Sequence, residues 1–236
     1  MRLSARALPV LFLGILLAGP APLRSQGLAD REITEITFEG NASFPEKDLR
    51  RAILTDQTRC KSFLFQFPFP FCPLTDWGFA HTREYLDEGE LPLDVVRLEL
   101  YYRQRGFRQA RVDTVVTRTA DRAEVIFKVH ENDPTLISRI DVQVRGEAID
   151  SAAVVSGLPI GVGDRLDLVA LQQGEAAIAD DLRREGYVDA AVLRDYFIPR
   201  DSLAAAVTLR VDPGPRVRVG EVEIQGSADV GDEVVY

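Results

Sequence analysis

The sequence predicts an α+β protein of two tandem units, each reading strand, helix, helix, strand, strand. Three observations carry this. YYRQRGFRQARV at 101–112 returns as DLRREGYVDAAV at 181–192, an offset of 80 residues. A segment of strand character opens each unit, and two strand-like runs follow each copy of the recurring stretch. Such self-similarity marks one supersecondary unit used more than once.

The chain opens with a targeting pattern. Arg2 and Arg6 precede the apolar run Leu8 to Ala18, which has the charge and length of a secretory signal peptide and is too short to cross a bilayer. Pro20 and Pro22 spoil the small-residue sites around Ala21, so cleavage is expected between Ser25 and Gly27 and residues 1–27 are set apart. They hold three of the 28 basic residues and no acid, which leaves 25 against 37 acidic residues, net −12. That charge repels phosphate backbones and excludes nucleic acid as a partner.

The first unit begins at ITEITFEGN (33–41), where Ile33, Ile36 and Phe38 share one face before a Gly40-Asn41 turn. A helix is expected over Pro45–Leu54, with Ser43 as N-cap. A second helix follows Asp94 as N-cap, with Val95, Leu98 and Tyr102 as its stripe. Arg103 and Arg105 complement its dipole. Gly106 ends it in a left-handed conformation, and Phe107 folds back on it. Strands over 110–119 and 124–129 turn at Ala120–Arg122.

The second unit repeats the plan from ISRIDVQVRGE (137–147), with a short helix Asp150–Ser156 ended by Gly157. Asp167 caps a helix carrying Leu171, Ile178 and Leu182, and Gly186 and Tyr187 repeat the corner. Strands over 190–198 and 204–211 turn at 199–202. A third opening strand, VGEVEIQGS (219–227), starts a unit expected to be incomplete at Tyr236; alternatively that strand completes the second unit.

The first unit is the longer one. Ile36 to Gly106 spans 70 residues and Ile140 to Gly186 spans 46, so 24 extra residues fall at about 59–82. They include CKSFLFQFPFPFC, with Phe63, Phe65, Phe67, Phe69 and Phe71 alternating between Cys60 and Cys72. Export makes a Cys60–Cys72 disulfide the expected state, against two free thiols. Pro68 and Pro70 fit a lid or edge piece better than a central strand. Either the rings pack over the helices as a satellite core, or they form a docking patch for a partner, a precursor strand or the membrane surface.

Ile36, Phe38, Gly40 and Asn41, then Asp94, Leu98, Tyr102, Gly106, Phe107, Ala110 and Val112, with Val129 and Glu131, resemble a POTRA domain. Ile140, Val142, Gly146, Leu182, Gly186, Tyr187, Ala190, Val192 and Val211 repeat the likeness; Glu147 stands where the pattern has asparagine. POTRA domains form the periplasmic arm of the outer-membrane barrel-assembly proteins, the BamA/TamA group, and of two-partner secretion transporters. The resemblance implies tandem domains at 32–131 and 135–215 and the start of a third at 216–236. Each would be a three-stranded mixed sheet covered by two helices, with no barrel in this chain. It implies a non-catalytic scaffold without cofactor or metal, periplasmic and associated with the outer membrane through a C-terminal barrel absent here. Its partners would be unfolded outer-membrane protein precursors and assembly components. They would bind by strand addition at the edges carrying Arg111, Asp113, Val115 and Thr117, and Ala191, Leu193, Asp195 and Phe197. Asp113, Arg118, Arg194 and Asp195 break up those edges with charge. The alternatives are the arm of a two-partner secretion transporter and a stand-alone adaptor of the cell-division type.

The residues point away from catalysis. His81 and His130 are far apart, and G-x-S-x-G, H-E-x-x-H and phosphate-loop patterns do not occur. The glycines of SGLPIGVGD join two helices rather than follow a strand, and Asp180-Asp181 reads as a solvated helix face.

Overall fold

The computed structural model describes residues 31–60, 81–146 and 149–221. The first unit runs β1 (Glu32–Glu39), α1 (Glu46–Arg50), β2 (Arg59–Cys60), β3 (His81–Thr82), α2 (Leu91–Gln104), β4 (Arg111–Arg118) and β5 (Arg122–His130). The second runs β6 (Leu136–Val144), α3 (Ser151–Ser156), α4 (Leu168–Arg184), β7 (Ala191–Phe197) and β8 (Ala204–Asp212). Each builds a three-stranded mixed sheet, in the orders β1-β5-β4 and β6-β8-β7. The opening strand lies parallel to the central one, and the hairpin partner lies antiparallel. Both opening strands shift register at the matching point, Ile33/Glu35 and Ile137/Arg139.

The central strands bury alternate residues, because one face lies under helices and the other meets water. Val125, Phe127 and Val129 of β5 pack with Ile33, Ile36, Leu49, Leu98 and Tyr102, and Ala123 of the same strand is buried. In the second unit Ala205, Val207, Leu209 and Val211 pack with Val154, Leu171, Ile178 and Leu182. Each large apolar side chain so buried contributes about 1.5–3 kcal/mol. Phe38 faces Phe127 in register, and their rings stack at 5.4 Å.

The Asp167 cap falls where the sequence places it, and Asp150, expected as the first residue of its helix, is a cap as well. Asp167 accepts the N–H groups of Val169 and Ala170 at 2.9 and 3.0 Å, and Asp150 accepts that of Ala152 at 2.9 Å. The first unit differs in three places. α1 stops at Arg50 rather than Leu54, because the N–H groups of Leu54 and Thr55 turn away from the helix to the Asp94 carboxylate, both at 2.9 Å. Asp94 is therefore no N-cap of α2. That helix starts earlier, at Leu91, and Asp94 sits fully buried in its first turn. Ser43 does not cap α1 either; its N–H and hydroxyl donate to Glu131 at 2.9 and 2.7 Å. The Tyr102 hydroxyl donates to the same carboxylate at 3.1 Å, tying the turn after β1 to α2 and to the exit of β5.

β2 and β3 pair antiparallel, with Cys60 opposite His81, and close the base of the insertion. Residues 1–27, the insertion from Phe63 to Cys72 with Phe65, Phe67, Phe69 and Phe71, and most of 219–227 lie outside the described residues.

Candidate functional site

The recurring stretch forms a corner in both units. Gly106 and Gly186 take φ values of +96° and +102° just past the ends of α2 and α4, a conformation that glycine alone adopts without strain. The next aromatic turns back: Phe107 N–H donates to Tyr102 O, and Tyr187 N–H to Leu182 O, each at 3.0 Å. Phe107 packs edge-on to Tyr102 with ring centres 5.8 Å apart. The corner sends the chain from each helix into β4 or β7. Gly40 (φ +82°) and Gly146 (φ +83°) end the two opening strands, and Asn41 donates its amide to Phe44 O at 3.0 Å to hold the first of these turns.

Each sheet has two edges, and they are treated differently. The outer edge of β1 is occupied by this chain. Ile33 N–H donates to Glu84 O and Ile33 O accepts Thr58 N–H, both at 2.8 Å. Ile36 N–H donates to the Gln57 side chain at 3.0 Å, and Ile36 O accepts the Arg50 guanidinium. At the start of β6, Ile137 N–H donates to Asp164 O and Ile137 O accepts Gly163 N–H, both at 2.8 Å. The opposite edges, β4 and β7, receive no backbone partner among the described residues beyond β5 and β8.

The side chains there are arranged in pairs. On β4, Arg111, Asp113, Val115 and Thr117 alternate on the face away from the helices, opposite His130, Lys128, Ile126 and Glu124. On β7, Ala191, Leu193, Asp195 and Phe197 do the same, with Leu193 63% and Phe197 69% exposed. The charges are mostly engaged within the chain. Arg118 pairs with Glu88 at 2.9 Å and Asp195 with Arg210 at 2.8 Å. Arg194 does not guard its edge: its guanidinium turns under the sheet to Glu175 on α4, at 2.8 Å. β7 thus presents an open backbone edge flanked by exposed apolar side chains.

The two units meet at the first corner. Thr135 N–H donates to Gly106 O, and Leu166 N–H to Thr135 O, both at 2.8 Å. The Arg165 guanidinium lies over the rings of Phe44 and Phe107, 5.0 and 5.2 Å from their centres. A Cβ on Gly106 would stand 2.6 Å from Arg165 Cγ. At the second corner Val217 N–H donates to Gly186 O, also at 2.8 Å, and Arg216 lies 5.9 Å over Tyr187. Arg165, Gln57 and Arg50 were invisible to periodicity, since they act from loops and a helix end on partners far along the chain.

His130 is exposed at the end of β5. Among the described residues no group of three or more His, Cys, Asp or Glu side chains is placed to hold a metal ion, and no helix is long and apolar enough to cross a membrane.

The family model described as "POTRA: Surface antigen variable number repeat" matches residues 32–132 and 137–214. A Treponema pallidum (strain Nichols) protein, described as a candidate outer membrane protein assembly factor, is 22% identical over 213 residues. The match takes in 86% of this chain and 23% of that protein, so the chain spans less than a quarter of its relative's length. Among solved structures, POTRA3-5 of BamA from Haemophilus influenzae is 20% identical, with a TM-score of 0.45 over 92% of this chain and 78% of that one. The N-terminal domain of Omp85 from Thermosynechococcus elongatus is 19% identical, with a TM-score of 0.38 over 76% of this chain and 61% of that one.

Proposed function

The chain belongs to the POTRA family, and from that premise we propose that it is a periplasmic scaffold of an outer-membrane protein assembly factor. POTRA units are non-catalytic scaffold modules. In this reading β4 and β7 hold unfolded barrel precursors, or partner proteins, by pairing with their extended segments. The carrying observation is the asymmetry of the edges: the chain covers β1 and the start of β6 with its own loops and side chains, and among the described residues none pairs with the outer edges of β4 and β7. Main-chain pairing makes little demand on the partner's sequence, which suits a scaffold that handles many precursors. The description of the Treponema pallidum relative supports the same assignment.

The domain limits proposed are 32–131 and 135–215, with a third unit beginning at 216, behind an exported leader at 1–27. Cys60 and Cys72 form a disulfide that closes the insertion. Serine at Phe65, Phe67 and Phe69 separates the two roles expected of its rings: a lowered thermal midpoint marks a satellite core, and intact stability with lost partner binding marks a docking patch.

The test is a strand-forming peptide from an outer-membrane protein titrated into the 15N-labelled chain. Amide shifts within 111–117 or 191–197 are expected, and shifts confined to the helices would overturn the reading.

A further inference from the structure

The groove between the two units leads to a more specific inference, which rests on the edge reading above. It encloses about 470 Å³, and its wall passes from one unit to the other. Leu100 and Arg103 come from α2, Arg108 from the corner, and Arg111 is the first residue of β4. Leu168 opens α4, and Tyr196 and Ile198 stand at the end of β7. The open edge of the first unit therefore begins at the groove, and the open edge of the second finishes there.

One pass along both edges is all antiparallel or all parallel, and antiparallel pairing is the more stable per residue. A strand laid antiparallel on β4 travels from Arg118 towards Arg111 and arrives at the groove. Beyond it lies the Phe197 end of β7, and travel from there towards Ala191 is again antiparallel. One chain running in one direction can pair with both edges without reversing. A groove of this volume is of the order of 8 Å across, which two to three extended residues span at about 3.3 Å each. With 8 residues on β4 and 7 on β7, the track takes about 18 residues.

The lining states the chemistry. Leu100, Leu168, Tyr196 and Ile198 make an apolar floor, and Arg103, Arg108 and Arg111 make a rim with no carboxylate among the lining residues. That is a local excess of positive charge in a chain of formal net charge −9. Arg103 is engaged by Glu99 at 2.7 Å, while Arg108 and Arg111 have no ion-pair partner among the described residues. A guanidinium so placed is a donor for a carboxylate, by short charge-assisted hydrogen bonds.

We propose that this groove binds the middle of a single extended polypeptide that lies on both edges in one pass. It seats an apolar side chain on the floor and an Asp or Glu carboxylate against Arg108 and Arg111. Joining two weak edge contacts through one ligand raises affinity, because the second contact becomes intramolecular.

Fluorescence anisotropy on the full chain tests this with three labelled probes. They are an 18-residue alternating Thr-Val peptide with a central Glu pair, the same peptide with a central Lys pair, and a 7-residue Thr-Val peptide. The Glu-centred probe is expected to bind at least ten-fold tighter than the short one and than the Lys-centred one. Arg108→Glu should abolish that gain and transfer it to the Lys-centred probe, with binding of the short probe unchanged. If the long probes bind no tighter than the short one, or Arg108→Glu leaves the gain intact, the groove proposal falls and the edge reading stands. If no probe binds, both fall.

Discussion

The carboxylate of Asp94, buried in the first turn of α2, accepts the backbone N–H of Thr55 at 2.9 Å. It also accepts Leu54 N–H at 2.9 Å and the Arg97 guanidinium at 2.6 Å. One side chain so ends α1, fixes the start of the segment leading to the insertion and anchors α2.

Replacing Asp94 with alanine takes the acceptor from two part-buried N–H groups and the partner from Arg97, and a loss of about 2 kcal/mol in urea unfolding at pH 7 is expected. A change below about 1 kcal/mol would show that water replaces the carboxylate without penalty.

The same group sets an acid dependence. Burial alone would raise its pKa, but the hydrogen bonds from Thr55, Leu54 and Arg97 outweigh burial and hold the carboxyl below its ordinary value. A group whose folded pKa is depressed stabilises fully above its unfolded pKa, near 3.9, and loses that contribution as pH falls through the folded one. The stability gap between the native chain and Asp94→Asn should therefore be constant from pH 7 to about pH 5 and narrow below about pH 4. A gap that widens on acidification would contradict this.

Two glycines with similar backbone angles separate strain from crowding. Gly163 has φ +92° with open space at its missing Cβ, and Gly106 has φ +96° with Arg165 Cγ at 2.6 Å. Gly163→Ala should lose about 1 kcal/mol, for strain alone. Gly106→Ala adds the displacement of Arg165, for about 3 kcal/mol in all, and equal losses would mean that Arg165 moves aside freely.

Arg165→Ala should lose about 1–2 kcal/mol through its contacts with Phe44 and Phe107. In a double-mutant cycle with Phe44→Leu, a coupling of about 0.5–1 kcal/mol is expected, and none would mean that the ring only fills space.

Peptide mapping of the chain, produced in an oxidising compartment and kept without reductant, should recover Cys60 joined to Cys72. The loop of 13 residues so closed adds on the order of 3 kcal/mol. Recovery of both as alkylated thiols would dismiss the bond.

The repeated architecture was legible because its determinants are local. A glycine after a helix with basic residues in its last turn reads the same at Gly106 and Gly186, and Asp167 caps the helix that follows it. Asp94 misled, because an aspartate before an apolar stripe looks like a cap; its true partners at 54 and 55 lie some forty residues upstream, where spacing carries no signal. Arg194 misled likewise, since alternation places a side chain on a face but does not say that Glu175 waits beneath it. The positions of β4 and β7 at sheet edges follow from the resemblance. What covers the opposite edges depends on loop carbonyls and on Gln57 and Arg50, which pattern does not reach.

Gly106 O and Gly186 O each take one N–H from the residues that lead out of their unit, Thr135 and Val217, at the same 2.8 Å. The segment from Thr135 to Arg216 therefore carries the donor that meets the first corner and, in Gly186 O, the acceptor that meets Val217. The hinge-side hydrogen bond of one joint is thus the same main-chain bond as that of the other, and only the arginine laid over the corner aromatic differs in where it comes from.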